Sequence, residues 1–333
     1  MKERLYLFDN LKALLMFLVV FGHFFGKIRK EFEIIHTIYT FIYAFHMPVF
    51  LFVSGYFAKY SIKDNKYKKP KIINYFIIYL IVQLLFCMFF ENDISIFCPK
   101  NALWYIQILI LAHLCLPYIS MLKPKAVLLI SIILGLLAGI ETTTFFSISR
   151  FLVFMPFFLL GYYFDINKIK RFFKTKYVVL SSIFILTFIL LIQFSGINKE
   201  FLIELYYGKV SYIDLGINSL PLAMLIRTIY YIITLVLTIT MLIVIPKKKN
   251  KLSYIGERTL QIYLLHIPFY CVFWGKENFI TKGYNFTNCV NTPIEAIILA
   301  FLVIILVFIL SSKMFSKPFD VIMKKDFMLK EKN

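Results

Sequence analysis

Cysteine is scarce in this chain: the five residues Cys87, Cys98, Cys115, Cys271 and Cys289 show no metal-ligand spacing, so a thiolate metal centre is not expected. There is no glycine-rich phosphate loop and no Gly-x-Ser-x-Gly elbow, which leaves soluble-type nucleotidase and serine hydrolase chemistry without support. Charge is also sparse, at 17% of residues, and acidic residues are the rarer sign, 18 against 37 basic. A net charge of +19 would fit a nucleic-acid partner, but the basic residues fall in short clusters between long apolar runs rather than on an aromatic-interleaved surface, so no nucleic acid is expected. Internal repeats and low-complexity tracts are absent. Cys98 and Cys289 both fall in loops expected outside the membrane, where a bridge is conceivable without being required.

What the chain has in excess is apolar surface. It is 60% hydrophobic and 19% aromatic, with a mean hydropathy of +0.79, against about 45–50% apolar residues in soluble domains. Runs of about 20 apolar residues are long enough to cross a bilayer. Ten candidates lie near 5–26, 33–58, 71–90, 102–120, 126–140, 149–164, 177–195, 220–245, 254–274 and 293–315. The expected fold class is all-α, a polytopic membrane bundle of about ten helices. One integral-membrane domain is expected over residues 1–333, with no appended soluble domain.

Basic residues mark the cytoplasmic side of a membrane protein. The stretch Lys59 to Lys71, the pair Lys123 and Lys125, the run Lys168 to Lys176, the block Lys247 to Lys251 and the tail after Lys313 fall in alternate loops. Both termini are therefore expected in the cytoplasm, with the protein in the cell membrane. One loop breaks the pattern, since Lys27, Arg29 and Lys30 fall on the opposite side, partly offset by Glu31 and Glu33.

Within the first span, Asp9, Lys12 and His23 stand out. The eleven steps from Lys12 to His23 make about 1,100° of helical rotation, within ~20° of three turns, and Asp9 is offset by only ~40°. The three share a face, with Lys12 and His23 roughly 16 Å apart along the axis. Ionisable groups in a span mark a functional path unless they pair structurally. An imidazole there can take a proton from a hydroxyl or carry an acyl group, needing no metal; a hydrogen-bonded interfacial histidine is the plainer alternative.

Other candidates are placed by the same span model. Pro48 is expected to kink the second span, with His46 just before the kink and Tyr43 and Tyr39 at helical spacing beside it. Glu141 closes the fifth span and Arg150 opens the sixth, both at the level of His23. Arg150 offers a planar fork of donors, although an interfacial anchor explains it equally. Trp104 and Tyr105 fit an aromatic belt, with substrate stacking as the alternative. His113 and His266 each read as buried histidines on apolar helices.

Taken together, Phe8-Asp9-Asn10-Leu11-Lys12 with Val19 to His23, Phe45-His46-Met47-Pro48 through Ser54-Gly55-Tyr56, Leu103-Trp104-Tyr105, Arg150 with Pro156 to Tyr163, and Arg258-Thr259-Leu260 with Ile262 to His266 form a set. These segments resemble the membrane-bound acyltransferase 3 family, and within it the fucose 4-O-acetylase-like branch. The resemblance implies a ten-span bundle moving acyl groups, commonly acetyl from cytoplasmic acetyl-CoA, onto hydroxyls of a cell-surface glycan or lipid-linked sugar. It implies that His23 is the catalytic histidine and that the basic residue at Lys12, often arginine in relatives, is functional. With Arg150 these form the expected catalytic set. Asp9, His46, Glu141, Trp104 and His266 form the expected substrate-binding set. No bound cofactor and no metal are expected; acetyl-CoA is the donor substrate. On this reading the lysine clusters attract the CoA phosphates, the pantetheine arm follows Asp9 and Lys12, and Arg150 stabilises the oxyanion. Direct transfer and an acyl-histidine relay both stay open. The competing class is a transporter or flippase for a lipid-linked glycan using an Asp/Lys/His relay, which the lack of matching halves disfavours.

Overall fold

A chain in hydrocarbon must satisfy its backbone internally, so long apolar runs can resolve only into helices or a closed barrel. The computed structural model describes residues 5–63, 66–67, 72–90, 95–274 and 290–324, and these runs are all helical. In chain order they are α1 (Tyr6–Phe25), α2 (Glu33–Tyr43), α3 (His46–Ala58), α4 (Ile72–Phe90), α5 (Trp104–Ile119), α6 (Pro124–Leu137) and α7 (Ile148–Tyr163). There follow α8 (Thr175–Phe194), α9 (Lys199–Tyr207), α10 (Leu220–Val244), α11 (Lys251–Gly256), α12 (Thr259–Phe273), α13 (Pro293–Leu310) and α14 (Lys313–Lys324). Among the described residues, eight segments are long and apolar enough to span a membrane. The shorter apolar helices α6 and α12 accompany them, giving an all-α bundle of about ten spans. A two-residue hairpin pairing Ile62–Lys63 with Lys66–Tyr67 is the one exception among the described residues. Cys289, and with it any Cys98–Cys289 bridge, lies outside them.

The second span breaks, but not where the proline alone predicts. The helix ends at Tyr43 and restarts at His46, with Phe45 at φ −142°, ψ −26°. Pro48 then sits in the first turn of α3, where a missing N–H removes no intrahelical bond. The break needs partners for the carbonyls it frees. His46 Nδ1 donates to the Ile42 carbonyl at 2.8 Å, and Thr234 Oγ1 donates to that of Ala44 at 2.8 Å.

Glycine contacts set the helix crossings. A Cβ on Gly55 would overlap the Phe158 carbonyl, and one on Gly161 would overlap that of Phe52, so α3 and α7 touch backbone to backbone. Close approach through small residues is the usual solution in membranes, where water exclusion gives helices no reason to associate. Gly256 lies against the Asp9 carbonyl in the same way, seating α11 on the start of α1.

The basic loops meet at one end of the bundle. Asn10 Nδ2 donates to the carbonyls of Pro246 and Lys248, Lys59 Nζ to that of Phe164, and Lys247 lies over the Phe173 ring. At the other end, Trp274 Nε1 donates to the Phe24 carbonyl, Phe146 N to that of Phe97, and Tyr212 N to that of Gly139. Three of the lysine-rich loops thus meet at one end, with His23 near the other.

Candidate active site

The last turn of α1 opens into a cavity of about 300 Å³ lined by His23, Lys27, Tyr43, His46, Trp104 and Arg150, among others. His23 reaches it because Gly22 and Gly26 leave room on the same helix: a Cβ on Gly22 would press on the Tyr43 ring, and one on Gly26 on Tyr39. Tyr39 and Tyr43 stack at 4.1 Å, Tyr43 meets His46 edge-on at 4.7 Å, and Tyr39 Oη lies 2.9 Å from Tyr207 Oη. The break after Tyr43 is what turns His46 into this wall. No acidic residue lines the cavity among the described residues.

Arg150 is held in place by its neighbours. Its guanidinium lies 4.4 Å over the Trp104 ring, and Nε donates to the Tyr207 carbonyl at 3.2 Å. Its terminal nitrogens make no further hydrogen bond among the described residues, which leaves a planar pair of donors toward the cavity. The backbone entering α7 is strained to achieve this: Phe146 and Ser147 sit at φ 47° and 55°, and Asn101 across the cavity at φ 50°. Non-glycine residues hold left-handed backbone only where surroundings enforce it. Here Gln107 does so, accepting from Ser147 Oγ at 2.7 Å while donating to the Phe97 carbonyl at 3.1 Å. Asn101 also lines the cavity, and its buried Nδ2 has no partner.

Lys12 lies on a second cavity, of about 360 Å³, toward the lysine-rich end, with Ser54, Tyr75, His113 and Thr259 in its wall. Its ammonium is 3.0 Å from Asp9 Oδ1 and 5.5 Å from the centre of the Phe57 ring. Asp9 is buried under Gly256 and lines neither cavity. The stripe expected along α1 is therefore divided rather than continuous. Met47 and Tyr263 line both cavities and stand between them. Tyr263 is anchored by its hydroxyl to the Ala102 carbonyl.

Two expected site residues are placed differently. Glu141 is exposed in the turn after α6 and lines neither cavity; α6 ends four residues earlier, at Leu137, so Glu141 projects from the surface. His266 is fully buried behind His23, with ring centroids 5.1 Å apart, and does not line the cavity. Trp104 lines it and carries Arg150, so it does more than mark a belt.

The basic loop that broke the charge rule belongs to this end. Arg29 Nε and Nη2 donate to Glu200 at 2.9 and 2.7 Å, Lys30 Nζ lies 3.5 Å from the same carboxylate, and His36 Nε2 lies 2.9 Å away. The hydrogen bonds from Arg29 hold the Glu200 carboxyl below its usual range, and Glu200 raises the Arg29 guanidinium in turn. Because the folded-state value is depressed, this tether is intact above the ordinary carboxylate range and is lost as pH falls through the lowered value. Protection factors for amide exchange across 199–207, corrected for the intrinsic rate at each pH, are expected to be high near pH 7 and to fall as pH drops through the lowered Glu200 value, whereas Glu200→Gln shows low protection throughout. High protection in the variant would remove Glu200 from this role. The only signal for these residues in the sequence was the misplaced charge itself.

A family model described as an acyltransferase domain, that of acyltransferase 3, matches residues 5–312. The chain belongs to this family. The match is to the family as a whole rather than to its fucose 4-O-acetylase-like branch. No curated protein and no solved structure matches the chain. The protein is thus a multi-pass membrane acyltransferase.

Proposed function

We propose that this acyltransferase moves an acetyl group from cytoplasmic acetyl-CoA onto a hydroxyl of a cell-surface glycan or lipid-linked sugar. The observation that carries the reading is the pair of cavities that approach each other at Met47 and Tyr263, one bearing Lys12 and the other His23 with Arg150. The lysine-rich end faces the cytoplasm of the cell membrane, as do both termini, and its basic loops draw in the phosphates of CoA. The pantetheine arm enters the Lys12 cavity and brings the thioester to the divide. The glycan enters the His23 cavity from outside, where tyrosine and tryptophan faces suit a sugar.

Transfer is direct on this reading. His23 takes the proton of the acceptor hydroxyl as its oxygen attacks the thioester carbon. Arg150 donates to the oxyanion that develops there. The carbon–sulfur bond breaks, and His23 returns the proton to the departing CoA sulfur. Lys12, fixed by Asp9, acts as a positive contact for the donor rather than at the reacting carbon.

The test is transfer of labelled acetyl from acetyl-CoA to envelope glycans in inverted membrane vesicles with and without the protein. Protein-dependent label in the glycan fraction supports the reading. Movement of lipid-linked glycan without thioester cleavage would replace it with the transporter.

Met47 separates the two substrates because its flexible thioether can yield while Tyr263 is pinned. Met47→Ala is expected to raise acceptor-independent hydrolysis of acetyl-CoA severalfold, since water then reaches the thioester. Release of free CoA without acceptor is the measurement; an unchanged rate would show that Met47 is not the barrier.

A further inference from the structure

His266 makes no contact with the cavity, yet its ring nitrogens are not equivalent. Nδ1 lies 3.0 Å from the carbonyl of Ile262 one turn earlier on α12. A carbonyl oxygen only accepts, so Nδ1 carries the proton and Nε2 is left as an acceptor. That Nε2 is buried and has no hydrogen-bond partner, and the residue is completely buried. An unsatisfied polar atom in such a place costs about 1–3 kcal/mol, so it calls for an explanation. His46 provides the contrast: its Nδ1 is tied to a carbonyl in the same way, but its ring lines the open cavity.

The ring packed beside His266 is that of His23. The two ring centroids are 5.1 Å apart with planes inclined at 53°. A direct N–H···N bond of about 2.9 Å between two imidazoles requires a centroid separation of roughly 5 Å, the ring radii being ~1.2 Å each. The separation already matches, and only the tilt does not. Rotation of His23 about its Cβ–Cγ bond, a soft torsion, aligns one of its N–H groups with His266 Nε2.

We propose that His266 is the positioning residue for His23, accepting one of its ring N–H groups so that the other ring nitrogen presents its lone pair to the acceptor hydroxyl. The proposal rests on the reading of His23 as the base. When His23 takes the hydroxyl proton, the resulting imidazolium has two N–H donors, and His266 Nε2 receives the one that faces away from the reaction. A carboxylate usually does this for a catalytic histidine; no acidic residue lines this cavity among the described residues, and a neutral imidazole locked by the Ile262 carbonyl supplies the acceptor instead.

Two conservative variants separate this role from a structural one. Asparagine places an amide N–H near Nδ1 and keeps the bond to Ile262 but has no atom near Nε2; glutamine reaches the Nε2 position with its amide oxygen. In steady-state transfer from acetyl-CoA, His266→Asn is expected to lower kcat by at least tenfold with KM for acetyl-CoA within twofold. His266→Gln is expected to retain most of the wild-type kcat. If asparagine equals or exceeds glutamine, or if both match wild type, the proposal is overturned and His266 only supports the helix. Should His266→Asn not fold, the comparison moves to His266→Gln against His266→Met, which both lose the Ile262 bond and differ in the acceptor alone: glutamine above methionine supports the proposal, equality overturns it. Failure of the underlying reading would look different, because the wild type itself would then transfer no acetyl, or would do so independently of His23.

Discussion

Replacement of His23 by glutamine is expected to reduce acetyl transfer by about 10²–10⁴, the usual contribution of a positioned general base, while KM for acetyl-CoA changes little. The reason lies in the composition of the cavity wall. No acidic residue lines it among the described residues, so no carboxylate stands ready to take over the proton. The other histidine on the wall, His46, has its Nδ1 committed to the Ile42 carbonyl at the helix break. Glutamine preserves polarity and most of the volume against His266 and Tyr270, so bundle packing is retained. On the proposed reading the donor sits in the other cavity, beside Lys12, which the substitution does not touch. The measurement is kcat and KM in vesicles with matched protein levels. More than a tenth of wild-type turnover in the variant would exclude His23 as the base.

The second large effect concerns folding rather than chemistry. Gly161→Val is expected to abolish accumulation of a monodisperse protein, since α3 and α7 touch through their backbones at this point. A Cβ on Gly161 would overlap the carbonyl of Phe52, and the reciprocal contact of Gly55 with Phe158 prevents α3 from shifting along α7 to make room. Backbone cannot rotate aside as a side chain does, so the cost exceeds the ~1–3 kcal/mol common for overpacked cores. Gly22→Ala is the control. Its added methyl meets only the Tyr43 side chain, at 3.1 Å from the ring edge. That variant is expected to fold and to lose activity in part, through displacement of Tyr43 from the wall beside His23. Size-exclusion profiles in detergent distinguish the two; a normal profile for Gly161→Val would show that the crossing is looser than its geometry implies.

These effects come from parts of the chain that differ in how openly their sequence announces them. The spans are legible because hydropathy over about 20 residues reflects a solvent, not a neighbour. Alternation of lysine-rich loops is legible for a similar reason, and the hydrogen bonds from Asn10 and Lys59 and the seating of Lys247 over the Phe173 ring at one end agree with it. Placing Lys12 and His23 on one face of α1 needs only helical geometry. The break in the second span is less legible: Pro48 signals that one exists, but its position depends on Thr234 and His46 satisfying the freed carbonyls.

Residues on loops and helix ends are less legible in the sequence. Glu141 and Arg150 share a level along the membrane normal in the sequence, yet Arg150 is turned inward by the strained Phe146–Ser147 backbone and the Trp104 face, while Glu141 is exposed. Level along a span follows from counting residues; direction around the bundle follows from what each helix packs against.

The sequence by itself determined that this chain is an all-helical membrane protein of about ten spans, that Asp9, Lys12 and His23 share one face of α1, and that it matches an acyltransferase family. Those properties are local or periodic, so they survive without knowledge of neighbours. The tertiary structure alone decided that the stripe on α1 is divided between two cavities, that Met47 and Tyr263 stand at the divide, and that the ring of His266, with one nitrogen unpartnered, lies beside that of His23. Each of these depends on side chains from helices far apart in the chain meeting at distances of a few ångströms, which no pattern within one helix encodes.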